Sequence, residues 1–239
     1  MRKIKRKIKV AAAWSGGKDG CFACFKAMQE GYEVKYLVNL LRKDVHFNGK
    51  PYKDFVKLQS RAVGIPVIQR EIRSSHTGNI RIFENNIKDL VLEMKRDGVE
   101  GWVFGYVLPG RQRELMKKLC DKFGLELFEP FYMKNDDDIM KDFLKADFKA
   151  LILEVEHHVI DKSWLGSIID KDFIKYLRGR LNVINRKTYN LVGDGGIYQS
   201  LALDGPIFKK SLATDFKDYS LDENFTWLNL GKFSLLDKK

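Results

Sequence analysis

The sequence is poor in cysteine: three of its 239 residues (Cys21, Cys24 and Cys120). That is too few for a disulfide scaffold, and a reducing, cytoplasmic setting is the simplest expectation. No apolar run approaches the roughly 18–20 residues that a membrane span requires. The basic N-terminus is not followed by an apolar stretch with a small-residue cleavage site, so it does not read as a secretory signal. Internal repeats and low-complexity segments are absent. Two familiar nucleotide signatures are also missing: there is no Gly-x4-Gly-Lys-Ser/Thr, which excludes a P-loop, and no Gly-x-Gly-x-x-Gly to suggest a dinucleotide fold.

What is present suits a globular protein: 44% of residues are apolar and 31% charged. A chain this long buries roughly 70–75% of its unfolded surface and needs neither disulfides nor metal to fold. Its length predicts one large domain or two smaller ones. The formal charge is +11, but residues 1–9 hold six basic residues, and without them it falls to +5. That run reads as a solvated tail leading into a strand; an arm for nucleic acid or an acidic partner is the alternative.

Apolar patterning predicts strands alternating with helices. Strands are expected at 7–14, 34–41, 66–71, 101–107 and 125–132, and helices at 21–30, 51–63, 80–96 and 111–123. Gly31, Gly64, Gly98 and Gly124 punctuate the helix ends. This order predicts a parallel α/β sheet with helices on both faces, Rossmann-like, over residues 1–133. Residues 134–239 read as a smaller α+β domain, with helices at 139–148 and 171–181 and strands at 149–156, 201–203 and 207–210. Ligands of such sheets sit beyond the carboxyl ends of the strands. The Ser15 loop, residues 40–42 and residues 105–113 should therefore ring one crevice.

Ser15-Gly16-Gly17-Lys18-Asp19-Gly20 joins the first strand to the first helix. Two glycines let the backbone approach a ligand closely, and the helix that follows directs its positive end at it. Lys18 adds a cation and Ser15 a hydroxyl. These features predict a polyanion site, most simply for phosphate; an ordinary strand-to-helix turn is the alternative.

The loop resembles Ser-Gly-Gly-x-Asp-Ser, the pyrophosphate loop of the N-type ATP pyrophosphatases (the PP-loop superfamily), whose fold is adenine nucleotide alpha hydrolase-like. Within that superfamily the sequence resembles the diphthine–ammonia ligase family. Leu58-Gln59-Ser60-Arg61-Ala62-Val63-Gly64-Ile65-Pro66 is similar to its Leu-Gln-Ala-x-x-x-Gly-Ile-Pro stretch, with His46 upstream. Phe104-Gly105 and Arg111-Gln112-Arg113 resemble its strand-four turn and Tyr-Gln-Arg helix, and Ser163-Trp164-Leu165-Gly166 its Trp-Leu-Gly segment. Residues 193–200, Gly-Asp-Gly-Gly-Ile-Tyr-Gln-Ser, resemble its late Gly-Glu-Gly-Gly-Glu-Tyr-Glu-Thr block, with Leu203-Asp204 and Pro206-Ile207-Phe208 following.

The resemblance implies an ATP-dependent amide ligase that activates a carboxylate as an adenylate, with loss of pyrophosphate, and lets ammonia displace AMP. It implies ATP and Mg²⁺ as cofactors and the modified histidine of elongation factor 2 as acceptor, with no membrane or nucleic-acid partner; a homo-oligomer is compatible with it. Ser15, Gly16, Gly17, Lys18, Asp19 and Gly20 would hold the phosphates, with Asp19 on the metal. Leu40 and Leu41 would read the adenine through their backbone, and Gly105 would line the α-phosphate or ribose. Gly193, Asp194, Gly195, Gly196 and Tyr198 would form the acceptor site, and Lys18, Asp19 and Asp194 would be catalytic. Free ammonia needs a water-excluding junction and a proton acceptor, for which Glu154, Glu156 and Asp194 are candidates.

The departures from the family pattern are Gly20 for Ser, Asp194 and Ile197 for Glu, Gln199-Ser200 for Glu-Thr, and Lys117 near an acidic position. They fit a divergent nucleotide-binding relative with another acceptor or weakened catalysis. A tRNA-modifying pyrophosphatase is a third reading of the +11 charge. Cys21 and Cys24 form a CxxC, read as helix packing rather than a redox or zinc pair. His157-His158 reads as a turn or partly buried pair, Trp14 and Trp102 as core, and Asp136 to Asp138 as a solvated helix cap.

Overall fold

The structure is a computed structural model that describes residues 7–42, 50–72, 80–184 and 189–238. Its first half alternates β1 (Lys9–Ala13), α1 (Lys18–Gln29), β2 (Glu33–Arg42), α2 (Lys50–Val63), β3 (Val67–Ile72), α3 (Ile80–Arg96), β4 (Gly101–Val103), α4 (Arg111–Phe123) and β5 (Glu126–Phe128). The five strands form one sheet in the order β3-β2-β1-β4-β5, and every pair is parallel. The chain winds outward from β1 through β2 to β3, then crosses back to β4. The direction therefore switches between β1 and β4, where a crevice opens beyond the strand ends. Buried residues of α3 and α4 pack on one face, and those of α1 and α2 on the other. The α/β sheet covered on both faces is as the patterning predicts. β1 is entirely apolar after Lys9, as a central strand buried on two faces requires.

The second half contains α5 (Asp136–Lys145), β6 (Lys149–Glu156), a 3-10 turn (Lys162–Trp164), α6 (Lys171–Val183), β7 (Tyr198–Asp204), β8 (Lys210–Leu221) and β9 (Phe225–Asp237). The four strands form an antiparallel sheet, β7-β6-β9-β8. One continuous core joins it to α1 and α2. Phe22 of α1 is the hub. Its ring lies 5.0 Å from Phe131, 5.6 Å from Phe143, 5.6 Å from Phe148 and 6.3 Å from Phe25.

Several expected elements are corrected. α1 starts at Lys18, not at residue 21: Asp19 favours a helix N-terminus electrostatically and outweighs the poor helix propensity of Gly20. β4 and β5 are shorter than expected: residues 104–107 continue as a loop lining the crevice, and residues 129–132 leave the sheet into a turn. α5 begins three residues early, with the Asn135 side chain accepting from the Asp138 N–H and the acidic run forming its first turn. Residues 207–209 are not a strand but a turn leading into β8. The β8–β9 ribbon was not expected; residues 215–219 of β8 are all exposed and give no apolar pattern. The start of the basic run, residues 1–6, and His46 lie outside the described residues. No described helix is long and apolar enough to cross a membrane.

Phe22→Ala should lower stability by about 3–5 kcal/mol, as for other large core aromatics. Urea unfolding measures this, and a loss below about 1 kcal/mol would contradict the hub assignment.

Candidate functional site

β1 delivers Trp14 and Ser15 to the mouth of the crevice, and four side chains fix the turn that follows. Asn39 Nδ2 donates to the Trp14 carbonyl at 2.8 Å. Tyr52 Oη donates to the Ser15 carbonyl. Gln59, fully buried, donates from Nε2 to the carbonyls of Gly16 at 2.9 Å and Ala202 at 2.7 Å, and accepts from Trp14 Nε1 at 2.9 Å. Ser200 Oγ accepts from the Lys18 N–H at 3.2 Å. The Ala202 N–H also donates to the Gly16 carbonyl at 2.8 Å, so the edge strand of the second sheet is bonded directly to the glycine turn.

Gly16 has φ +78°, a conformation that only glycine adopts without strain. Gly105 is required for a different reason. A Cβ there would lie 2.7 Å from the Asp19 carbonyl oxygen, so the end of β4 presses against the first turn of α1. Gly20 is similarly constrained: an added Cβ would meet the Ala13 carbonyl oxygen at 2.8 Å. The serine expected at that position has no room unless β1 shifts.

Lys18 does not point freely into solvent. It is 2% exposed, its Nζ contacts both Asp19 carboxylate oxygens at 2.8 and 3.0 Å, and it donates to the Val192 carbonyl. It also lies 4.9 Å from the centre of the Tyr198 ring. Asp19 keeps 43% of its side chain exposed. Its position in a concave pocket still raises its pKa through desolvation, against the pull of Lys18, and Asp194 raises it further. The two carboxylates therefore share one neighbourhood. Asp194 Oδ2 accepts from the N–H groups of Val107 at 3.2 Å and Leu108 at 2.7 Å, tethering the loop after β4 to the 193–196 block. Asp136 Oδ2 anchors that block from behind by accepting from the Leu191 N–H at 2.9 Å, a link beyond the solvated cap expected of the acidic run.

These residues surround a cleft of about 400 Å³, within the usual range for small-molecule sites. Ser15, Asp19, Gly20, Leu40, Gly105, Gly193, Asp194, Gly195 and Gly196 all line it. Val38, Phe104 and Met116 give it an apolar wall, and Tyr106 stacks on Phe104 at 5.2 Å. Gly16, Gly17 and Lys18 form the structure behind the lining. Leu41 lies in the core at 5% exposure. Tyr198 is also core: its hydroxyl donates to the Leu191 carbonyl at 2.9 Å and its ring meets Phe173 edge-on. Gln59, Asn39, Tyr52 and Ser200 were not expected as site residues. Gln59 stood inside the quoted Leu-Gln stretch, the one signal that pointed to it.

The other flagged residues fall elsewhere. Ile197 is fully buried, and Lys117 is an exposed partner of Asp121 at 2.7 Å. Arg113 forms a two-point pair with Glu129 at 2.9 and 2.8 Å. Burial raises the thiols of Cys21 and Cys24, the latter to about 12, so both are inert packing groups in the core. His157 bonds to Thr226 Oγ1 at 3.2 Å and to the Glu223 carbonyl at 3.1 Å. Among the described residues no group of three metal-ligating side chains occurs.

Comparison with known proteins gives a consistent picture. The family model for the diphthamide synthase N-terminal domain matches residues 8–127 and that for the C-terminal domain residues 135–236. The chain is 26% identical over 226 residues to the diphthine–ammonia ligase of Rattus norvegicus, covering 87% of this chain and 83% of that protein. It is 24% identical to the Homo sapiens diphthine–ammonia ligase with the same coverage. A solved structure described as a predicted subunit of tRNA methyltransferase from Methanocaldococcus jannaschii covers 83% of this chain and 98% of its own, at 14% identity and TM-score 0.44. That likeness is too loose to bear on function.

Gln59→Leu leaves the buried Trp14 indole and the Ala202 carbonyl without their partner. It should cost about 2–4 kcal/mol, measured by chemical unfolding. A cost under about 0.5 kcal/mol would show that the turn holds its shape without it.

Proposed function

The chain belongs to the diphthamide synthase family, and from that premise we propose that it is an ATP-dependent ligase of the diphthine–ammonia type. In this reading it converts a carboxylate to an amide with release of AMP and pyrophosphate. One observation carries the proposal: the glycine turn, Gly105 and the 193–196 block meet around a single cleft at the switch point of the parallel sheet. The N-terminal half (residues 1–133) holds the nucleotide, and the C-terminal half (134–239) supplies the acceptor's wall.

The base of ATP lies along Val38, Leu40 and Phe104, with Gly105 beside the ribose and α-phosphate. The β- and γ-phosphates lie over Ser15 and Asp19, where the positive end of α1 favours anions. Lys18 acts from beneath. Its charge offsets that of Asp19 and the incoming phosphates while the Val192 carbonyl and the Tyr198 ring fix its position. The acceptor enters beside Asp194, Gly195 and Gly196. Its carboxylate oxygen attacks the α-phosphorus and pyrophosphate leaves; ammonia then attacks the acyl carbon and AMP leaves. The protein provides alignment and charge stabilisation rather than a covalent nucleophile.

The carboxylates suit Mg²⁺. Asp19 carries negative charge in a desolvated place with Asp194 alongside, and Mg²⁺ is ordinarily held by one or two carboxylates plus phosphate oxygens. Asp19 would hold it, and its chemistry is to neutralise the leaving pyrophosphate. The ligase reading assigns elongation factor 2, cytoplasmic and bearing the modified histidine, as the acceptor.

The weakened-relative reading loses support from two of its motives. Ile197 is core and Lys117 is surface, so neither change removes a group from the cleft.

With ATP, ammonium and acceptor, chromatography should find AMP and pyrophosphate in equal amounts; ADP as product would overturn the proposal. Asp19→Asn should reduce kcat/KM at least a hundredfold, about 2.7 kcal/mol of transition-state stabilisation. Full activity in that variant would remove Asp19 from the mechanism.

A further inference from the structure

A groove of about 660 Å³ lies between α5 and α6. Asp137, Lys141, Leu144 and Lys145 line it from α5, and Lys171, Ile174 and Arg178 from α6. Both sets recur every three or four residues, as one face of a helix does. Arg178 bonds Asp137 and ties the two helices together. From Asp137 to Lys145 the groove follows α5 for about 12 Å, or two turns of helix. Its floor is apolar: Met140 and Ile174 are buried, and Leu144 is half-buried.

The rim carries charge that the fold does not balance. Lys141 and Lys145 stand four residues apart on one helix, a spacing at which like charges repel. Lys171 is the first residue of α6, where the positive end of the helix disfavours a cation. Among the described residues no side chain pairs with any of the three. An apolar floor two turns long, under three unpaired cations, complements a helix with an apolar stripe flanked by Asp or Glu. It does not suit a nucleic acid, because Asp137 and Asp138 stand in the same wall.

The groove also adjoins the nucleotide cleft. Asp136 Oδ2 accepts from the Leu191 N–H at 2.9 Å, and residues 192–196 then line the cleft. At about 400 Å³ that cleft is sized for small molecules. It admits a reacting side chain but not the body of a protein, and a stable protein complex buries about 800 Å² on each partner.

We infer that the α5–α6 groove docks the protein that carries the acceptor carboxylate, by receiving an acidic amphipathic helix on its surface. That the acceptor is a protein rests on the ligase reading; the chemistry of the groove does not.

The test measures binding without ATP, by biolayer interferometry, between the full chain and elongation factor 2 bearing the unamidated residue. Binding should be saturable. Lys141→Glu, Lys145→Glu and Lys171→Glu together should weaken it at least tenfold. All three lysines are exposed, so the variant should fold, as circular dichroism checks. Glutamine at the same positions removes the charge without reversing it and should weaken binding by a smaller factor. Lys88→Glu, Lys118→Glu and Lys217→Glu make the same change in net charge at exposed positions on other elements, and should leave binding within twofold. With a short peptide carrying the reacting residue, the groove variant should keep kcat/KM within twofold, while kcat/KM for the whole protein falls at least tenfold. No saturable binding, unchanged binding in the groove variant, equal weakening in the control variant, an equal loss with the peptide, or an RNA bound in the groove in the protein's place would overturn the inference. A groove-dependent complex that yields no amide would uphold the inference and overturn the ligase reading.

Discussion

At the Gly16 carbonyl two parts of the molecule meet. It accepts from the Gln59 side chain of α2 and from the Ala202 N–H on the edge strand of the second sheet. That pairing locks the glycine turn into the left-handed conformation seen at Gly16 and sets the second sheet against the first. With Asn39, Tyr52 and Ser200 bonded to the neighbouring backbone, the turn is held from every side before any ligand arrives. A phosphate site gains from such preorganisation, because its donors need not reorient when charge develops. The interface between the halves and the shape of the site thus rest on the same few hydrogen bonds.

The charges follow from that arrangement. Lys18 starts a helix yet turns inward, because the Val192 carbonyl and the Tyr198 ring from the second half receive it. Asp19 leans on Lys18 but still feels Asp194, while Asp194 spends one oxygen on the loop after β4. The cleft has a cation beneath it and two carboxylates at its edge. In the proposed reading, that arrangement suits a polyanion accompanied by a divalent ion. The two cysteines in the first turns of α1 are buried in the core, and that burial raises their thiols.

Much of this was legible in the sequence. Ile80–Arg96, Arg111–Phe123 and Lys149–Glu156 have the bounds their periodicity predicts, since each buries one regular face or a continuous apolar run. The glycine loop announced itself by composition. What escaped depends on contacts between distant segments. Gln59 is a polar residue within a helix, and its burial is explained only by two carbonyls from elsewhere in the chain. Tyr198 and Lys18 look like ligand-facing residues until the halves are assembled, when each becomes part of the support beneath the site. The β8–β9 ribbon has little local signal because residues 215–219 of β8 are all exposed and its strands are irregular in register.

The most direct test of the account is a crystal structure grown with magnesium and an ATP analogue blocked between its α- and β-phosphates. The account predicts triphosphate density over Ser15 and Asp19 at the mouth of the glycine turn, with the base along Leu40 and Phe104. An empty glycine turn, with the nucleotide bound elsewhere on the molecule, would contradict it.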